Sequence, residues 1–273
     1  MQTMRVAVVG ATGTVGRHVV ELLEKAGHEV VPISRAHGVD VITTAGLETA
    51  LGAVECIIDA ANPPSPNQED ATEFFRTSAR NLHAVGSTAG VSSIVVVSIV
   101  GIDRFTAGYY MAKREHEKAM LQGPIPIRIL RSTQFHELVG RMVDRGRQGG
   151  VAHVPKMRIQ PIAARTAAEA IATLVTRPKA SSLQTTHDEA IHEIAGPRQE
   201  SLAALARLLV AHRGDPVRVE EESHTDPDAD SYESGALLPG PNTTLAGPTF
   251  EEWLESQSDI VSSTVETDEA AGR

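Results

Sequence analysis

The chain of 273 residues has one cysteine, Cys56. An intrachain disulfide is therefore excluded, and so is a structural zinc site of the cysteine-rich kind. No apolar stretch approaches the roughly 20 residues needed to span a bilayer. The run Met4 to Val9 is apolar but short, and glycine follows at once, so it does not read as the apolar core of a signal peptide. Positive charge is scarce: 25 Lys and Arg face 35 Asp and Glu, for a formal net charge of −10. That balance argues against a nucleic-acid backbone as partner. It leaves room for a local basic site that takes a small anionic ligand. The expectation is a soluble, cytoplasmic protein, monomer or homodimer, that holds no metal and acts on a small molecule.

What is present is an apolar content of 41%, enough for a full core, in a length that fits one large domain or a domain with a small lobe. Met4 to Val9 is β-branched and ends at a glycine loop, the pattern of a buried parallel strand. Val15, Val19, Leu22, Leu23 and Ala26 then recur at helical spacing, and Gly27 closes the helix. Further strand-like runs lie at Glu29–Ser34, Cys56–Ala60, Ile94–Ser98 and Ile127–Leu130. Between them, helices are predicted at Ala45–Leu51, Asp70 to about Val85 and Tyr109–Leu121. This alternation predicts an α/β fold, a Rossmann-type doubly wound parallel sheet. Past about Phe135 the alternation weakens. Helices are expected at Phe135–Arg145, Ala163–Thr176 and Glu200–Ala211, and the acidic stretch Glu220–Asp230 reads as an exposed loop. The predicted organisation is a nucleotide-binding domain over 1–134, a small α/β substrate lobe over 135–255 and a flexible tail over 256–273.

The strongest signal is Gly10-Ala11-Thr12-Gly13-Thr14-Val15-Gly16, placed directly after a strand and before an amphipathic helix. Gly10 suits the tight turn, Gly13 the close approach of backbone to a pyrophosphate, and Gly16 the packing of helix on sheet. The helix N-terminus adds free N–H groups and positive potential. Dinucleotide binding by this loop, including Thr12, Thr14 and Val15, is the expected function of the domain.

A second absence bears on which dinucleotide. An NAD site usually has Asp or Glu at the end of the second strand, for the ribose 2′-hydroxyl. Here that place reads Ile33-Ser34-Arg35-Ala36-His37. An arginine there pairs with a 2′-phosphate, so NADP(H) is expected over NAD(H). Asp40 and Val41, read as lying near a third strand, are candidate adenine contacts. Ala60, Ala61 and Asn62, in the loop after the Cys56–Ala60 strand, are candidate cofactor contacts as well.

Ser98 ends the strand IVVVS, at the sheet edge where ligands bind in open α/β folds. Tyr109 and Lys113 follow, one helical turn apart on one face. A nearby ammonium is expected to lower the phenol's pKa, so that Tyr109 donates a proton to a carbonyl oxygen as hydride arrives. Ser98 would bond the same oxygen, and Lys113 would also hold the nicotinamide ribose. The alternative that Tyr110 faces the site is open at this level.

GATGTVG, Ser98 and Tyr109-Tyr110-Met111-Ala112-Lys113 together resemble the short-chain dehydrogenase/reductase superfamily, in its extended and atypical branches. The segment Ile129 to His136 (ILRSTQFH) resembles the NmrA-like, NAD(P)H-binding members. The resemblance implies nicotinamide contacts from Ser132, Thr133 and Gln134. It also implies a substrate pocket between that loop and the C-terminal lobe, for which Phe135, His136 and Met142 are candidates; a capping or surface role for His136 is the competing reading. The function expected is an NADPH-dependent oxidoreductase that reduces a small, fairly apolar carbonyl, enone or quinone. The alternatives are a non-catalytic NADP(H)-binding redox sensor of the NmrA type and a nucleotide-sugar epimerase. Arg35 and the modest lobe argue against the epimerase.

Overall fold

A computed structural model describes residues 3–176, 190–223, 225 and 227–257. The chain opens with β1 (Arg5–Val9), α1 (Gly16–Lys25) and β2 (Glu29–Ile33), then α2 (Leu47–Leu51), β3 (Cys56–Asp59), α3 (Gln68–Ala89), β4 (Ser93–Ile99), α4 (Gly108–Leu121) and β5 (Ile127–Ser132). These strands form one parallel sheet, with β1 paired to β2 on one side and to β3 on the other. The full order is β2-β1-β3-β4-β5, extended by β9 (Ile191–Ala195) and β12 (Thr244–Leu245). β1 is buried almost throughout because both faces of a doubly wound sheet are covered by helices. Pro32 is tolerated in β2 because that strand lies at the sheet edge, where one row of N–H groups has no ladder partner to lose.

The strand order reverses between β1 and β3. That gap is the topological switch point, the usual place for a ligand in this architecture. Residues 41–43 form a turn between β2 and the third strand, β3. The cause is local: the Asp40 carboxylate accepts from the N–H of Ile42 at 2.7 Å and of Thr43 at 3.4 Å, and Asn81 takes the carbonyls of Val41 and Ile42. Those backbone groups are satisfied without a sheet neighbour.

The remainder builds a second layer of structure over the carboxyl edge: α5 (His136–Arg145), β6 (Arg147–Gln148), β7 (Val151–Pro155), β8 (Arg158–Ile159), β10 (Glu200–Ser201), α7 (Leu202–His212), β11 (Arg218–Glu222) and α8 (Ala229–Ser234). Its core joins Val139, Val143, Leu205, Leu209 and Leu237 with Phe105 and Phe250. The chain also returns to the first sheet after residue 134. β9 and β12 extend that sheet, and α6 (Ala164–Thr176) shares a core with α1 through Val19, Leu23, Ile171 and Leu174. The two layers are therefore interleaved in sequence.

The acidic stretch Glu220–Asp230 is the expected exposed loop only in part, since Glu220–Glu222 close β11 and Asp228 is buried. β11 pairs in parallel with β7, from Arg218 opposite Val151 to Glu222 opposite Pro155. Asp228 is buried, and its carboxylate accepts from the backbone of Thr106 and Ala107 and from the Thr106 hydroxyl, each at 2.8 Å. Those bonds compensate its desolvation and hold its pKa below the usual value. They also fix the start of α4, the helix that carries Tyr109. Most of the tail expected over 256–273 lies outside the described residues. Among those described, no helix is long and apolar enough to cross a membrane, and no group of three His, Cys, Asp or Glu is placed to hold a metal ion.

Candidate active site

The glycine loop sits at the switch point. Gly10 has φ +75, and a Cβ there would lie 2.7 Å from the carbonyl oxygen of Ala60. A Cβ on Gly16 would lie 2.1 Å from the Gly10 carbonyl oxygen. Both are required by the protein's own packing. Gly13 is different: its Cβ would meet only the Gly10 carbonyl, at 3.1 Å. The protein's own packing restricts this position less than it restricts Gly10 or Gly16, since the Gly10 oxygen must yield by only a few tenths of an ångström. α1 begins here with no side-chain cap and no acidic residue in its first turn. Its first N–H groups thus have no side-chain acceptor, which suits an anionic group.

A cavity of about 990 Å³ opens beside the loop. Gly10, Thr12 and Gly13 line it, with Ser34, Arg35, Asp40, Val41, Ala60, Ala61 and Asn62. The sequence-predicted residues from three separate loops therefore share one cavity. Arg80, on α3, lines it too. Nothing in the sequence pointed to Arg80, since its helix contributes to the cavity only once β2 and β3 are side by side.

Asn62 of the cavity lining has a side-chain oxygen that accepts from the Tyr109 hydroxyl at 2.7 Å. The two tyrosines have separated. Tyr110 packs against Phe105 and Tyr232, with ring centroids 4.5 and 5.8 Å away. Tyr109 lies against Phe75 with its hydroxyl at the sheet edge. Ser98, at the end of β4 on the same sheet edge, is buried with an unpartnered hydroxyl. Thr133 is likewise buried with an unpartnered hydroxyl, and the Gln134 amide has no well-aligned partner. Such groups are costly unless something meets them. Their gathering at one edge fits a polar ligand such as a carboxamide or a carbonyl. Ser132, adjoining them, ends β5 and is buried.

Three expectations are corrected. The Tyr109 phenol is raised rather than lowered, chiefly by burial, with the Arg141 charge acting weakly the other way. Lys113 does not reach it. Lys113 is buried, its Nζ donating to the Val97 carbonyl at 2.8 Å and lying 3.0 Å from His116 Nδ1. The ammonium follows the stronger acceptors inside the domain. The last correction is His136, which is not at the surface but packed in the lobe core. It is 1% exposed, packs between Phe250 and Trp253, and has its Nε2 3.2 Å from the Pro248 carbonyl. Burial lowers its pKa to about 4. Phe135 caps α5 and packs under the first sheet, while Met142 packs on the lobe core. α5 also sends Arg141 across to Thr14 of the glycine loop, at 3.3 Å, a contact the sequence did not suggest.

A switch-point cavity and a glycine loop at the carboxyl edge of a parallel sheet define a Rossmann-type α/β fold. Residues 6–99 match the model of the NAD dependent epimerase/dehydratase family; the NmrA-like branch is not the one matched. No curated protein matches the chain in sequence. Among solved structures it is similar to dTDP-4-dehydrorhamnose reductase from Bacillus anthracis in complex with NADP, at 16% identity and TM-score 0.66 over 94% of this chain and 98% of that one. A dTDP-4-dehydrorhamnose reductase ortholog from Clostridium acetobutylicum gives 16% identity and TM-score 0.67 over 95% and 100%. UDP-N-acetylglucosamine 4-epimerase from Bacillus cereus gives 17% identity and TM-score 0.65 over 93% and 95%.

Proposed function

We propose that this chain is an NADPH-dependent reductase of a small, fairly apolar carbonyl, enone or quinone. The observation that carries the reading is the bond from Tyr109 to Asn62, a residue of the glycine-loop cavity, on the sheet edge where β4 carries the unpartnered Ser98 hydroxyl. On this reading a protonated phenol hydroxyl and a second donor stand at the sheet edge by the cavity. The N–H groups of the loop and of α1 hold the pyrophosphate, with Gly13 leaving space for it. Arg35, exposed at the cavity rim, takes the 2′-phosphate, and Arg80 stands on the same cavity. Thr133 and Gln134 meet the carboxamide. The cofactor, when bound, supplies hydride.

The chain's residues handle the oxygen. Ser98 and Tyr109 donate hydrogen bonds to it, and Tyr109 delivers the proton as negative charge develops there. Burial keeps the phenol protonated across the working range, as a proton donor requires. Two features of the known proteins support the class. The matched family is NAD dependent, and one of the similar structures is a reductase in complex with NADP.

The test is loss of NADPH absorbance with a panel of apolar carbonyls, enones and quinones, set beside nucleotide sugars. Oxidation by the first group supports the reading. Turnover of a nucleotide sugar alone overturns the substrate class, and tight NADPH binding with no turnover of any substrate indicates a redox sensor. Cofactor choice has its own test. Arg35→Ala should weaken NADPH by about tenfold or more, the value of a charge-assisted hydrogen-bonded pair, and leave NADH nearly unchanged. Calorimetric titration checks this, and an equal loss for both cofactors would assign Arg35 a structural role.

A further inference from the structure

Beneath the Ser–Tyr pair lies a buried chain of three ionisable side chains from two elements. Lys113 and His116 are on α4, and Asp59 ends β3. Each is at most 3% exposed. Lys113 Nζ is 3.0 Å from His116 Nδ1, and His116 Nε2 is 3.0 Å from Asp59 Oδ2. An ammonium has only donors, so Nδ1 must accept from it and Nε2–H must donate to the carboxylate. This fixes His116 as a neutral imidazole in one tautomer. Burial and the Lys113 charge both keep it from protonating. The other Asp59 oxygen accepts from the Ala61 N–H at 3.0 Å, in the loop that lines the cavity.

The surroundings leave Lys113 few other partners. From β4 it meets the Val97 carbonyl, and from α3 the Phe75 ring, whose centroid is 4.6 Å from Nζ. Phe75 also stacks on His116 at 4.4 Å. The next carboxylate on α4, Glu117, is committed to Arg131 of β5, at 2.6 Å and 2.9 Å, and Arg131 also holds Asp103. A buried ammonium without a counter-charge neutralises. Asp59 supplies that charge through the imidazole.

We propose that Asp59 and His116 are positioning residues: acting through the imidazole, the Asp59 carboxylate keeps Lys113 charged and anchored below Ser98. What Lys113 then serves, the nicotinamide ribose and the Tyr109 proton transfer, rests on the reductase reading. The couple itself concerns only the charge of Lys113. Burial lowers the Lys113 pKa to about 8, while Asp59 and Glu117 oppose the fall. Removing the Asp59 charge must lower it further.

The experiment is a pH titration by NMR of protein isotope-labelled at lysine Cε. The chain has five lysines, and Lys113→Met identifies the resonance. The wild type should show one lysine titrating near 8. Asp59→Asn, which keeps shape and removes charge, should lower that midpoint by about one unit or more. His116→Leu should do the same, and His116→Gln, whose amide both accepts and donates, should restore part of it. NADPH affinity across about pH 6–10 should fall through the same midpoint in wild type, and at lower pH in Asp59→Asn. An unmoved lysine midpoint in the folded Asp59→Asn or His116→Leu protein overturns the proposal; should one variant not fold, the other decides. Absence of NADPH binding by wild type at every pH overturns the reductase reading instead, and the lysine titration still judges the couple.

Discussion

Turnover of carbonyl substrates by Tyr109→Phe is expected to fall by about 10²–10⁴-fold, the contribution of a positioned general acid. The substitution removes one oxygen and leaves the ring against Phe75, at 6.2 Å between centroids. Dinucleotide affinity should change little, since the cavity lining keeps Asn62 and the glycine loop. Steady-state kinetics and a fluorescence titration on the same preparation separate the two effects. An unchanged rate would remove Tyr109 from the chemistry. Tyr110 is a poor substitute because its ring is packed between Phe105 and Tyr232. The pH profile gives a further check. Burial lifts the Tyr109 phenol and lowers Lys113 to about 8. The alkaline limb of turnover should therefore follow the loss of the Lys113 charge, with activity falling as pH rises through that value, and not ionisation of the phenol.

The second large effect is expected at Gly13. Gly13→Val should fold and lose dinucleotide binding, by about 100-fold or more, near 3 kcal/mol. The only atom its Cβ meets is the Gly10 carbonyl oxygen at 3.1 Å, a contact relieved by a shift of a few tenths of an ångström. The rest of the side chain enters the cavity beside the loop, where the pyrophosphate is proposed to lie. Gly16→Val is the contrasting control. Its Cβ would stand 2.1 Å from backbone, so its melting temperature should drop sharply whatever happens to binding. Thermal unfolding and calorimetric titration of both variants distinguish a ligand-imposed glycine from a packing-imposed one. A Gly13→Val protein that melts like wild type and binds NADPH equally well would remove the loop from the proposed site.

Much of this was legible in the sequence because it depends on neighbours along the chain. A β-branched run followed by glycines and an amphipathic helix is local, and β1, the glycine loop and α1 fall where the pattern puts them. The same holds for β4 ending near Ser98 and for α4 carrying Tyr109 and Lys113. The acidic stretch misled at Asp228, because charge predicts exposure only when nothing pairs with it. Asp228 found three donors far away in sequence, at Thr106 and Ala107.

The sequence by itself determined the parallel α/β sheet, the glycine loop and the residue types offered for chemistry, because periodicity and turn residues act over a few positions. Only the tertiary structure decided which of two adjacent tyrosines bonds to Asn62 of the cavity lining, since that depends on Phe75, Phe105 and Tyr232 from three other elements. It also decided where the Lys113 charge goes. Helical spacing placed Lys113 beside Tyr109, but a buried ammonium turns to the acceptors that best compensate its lost hydration. Those are the Val97 carbonyl and the His116 imidazole backed by Asp59, which sequence spacing alone does not bring together.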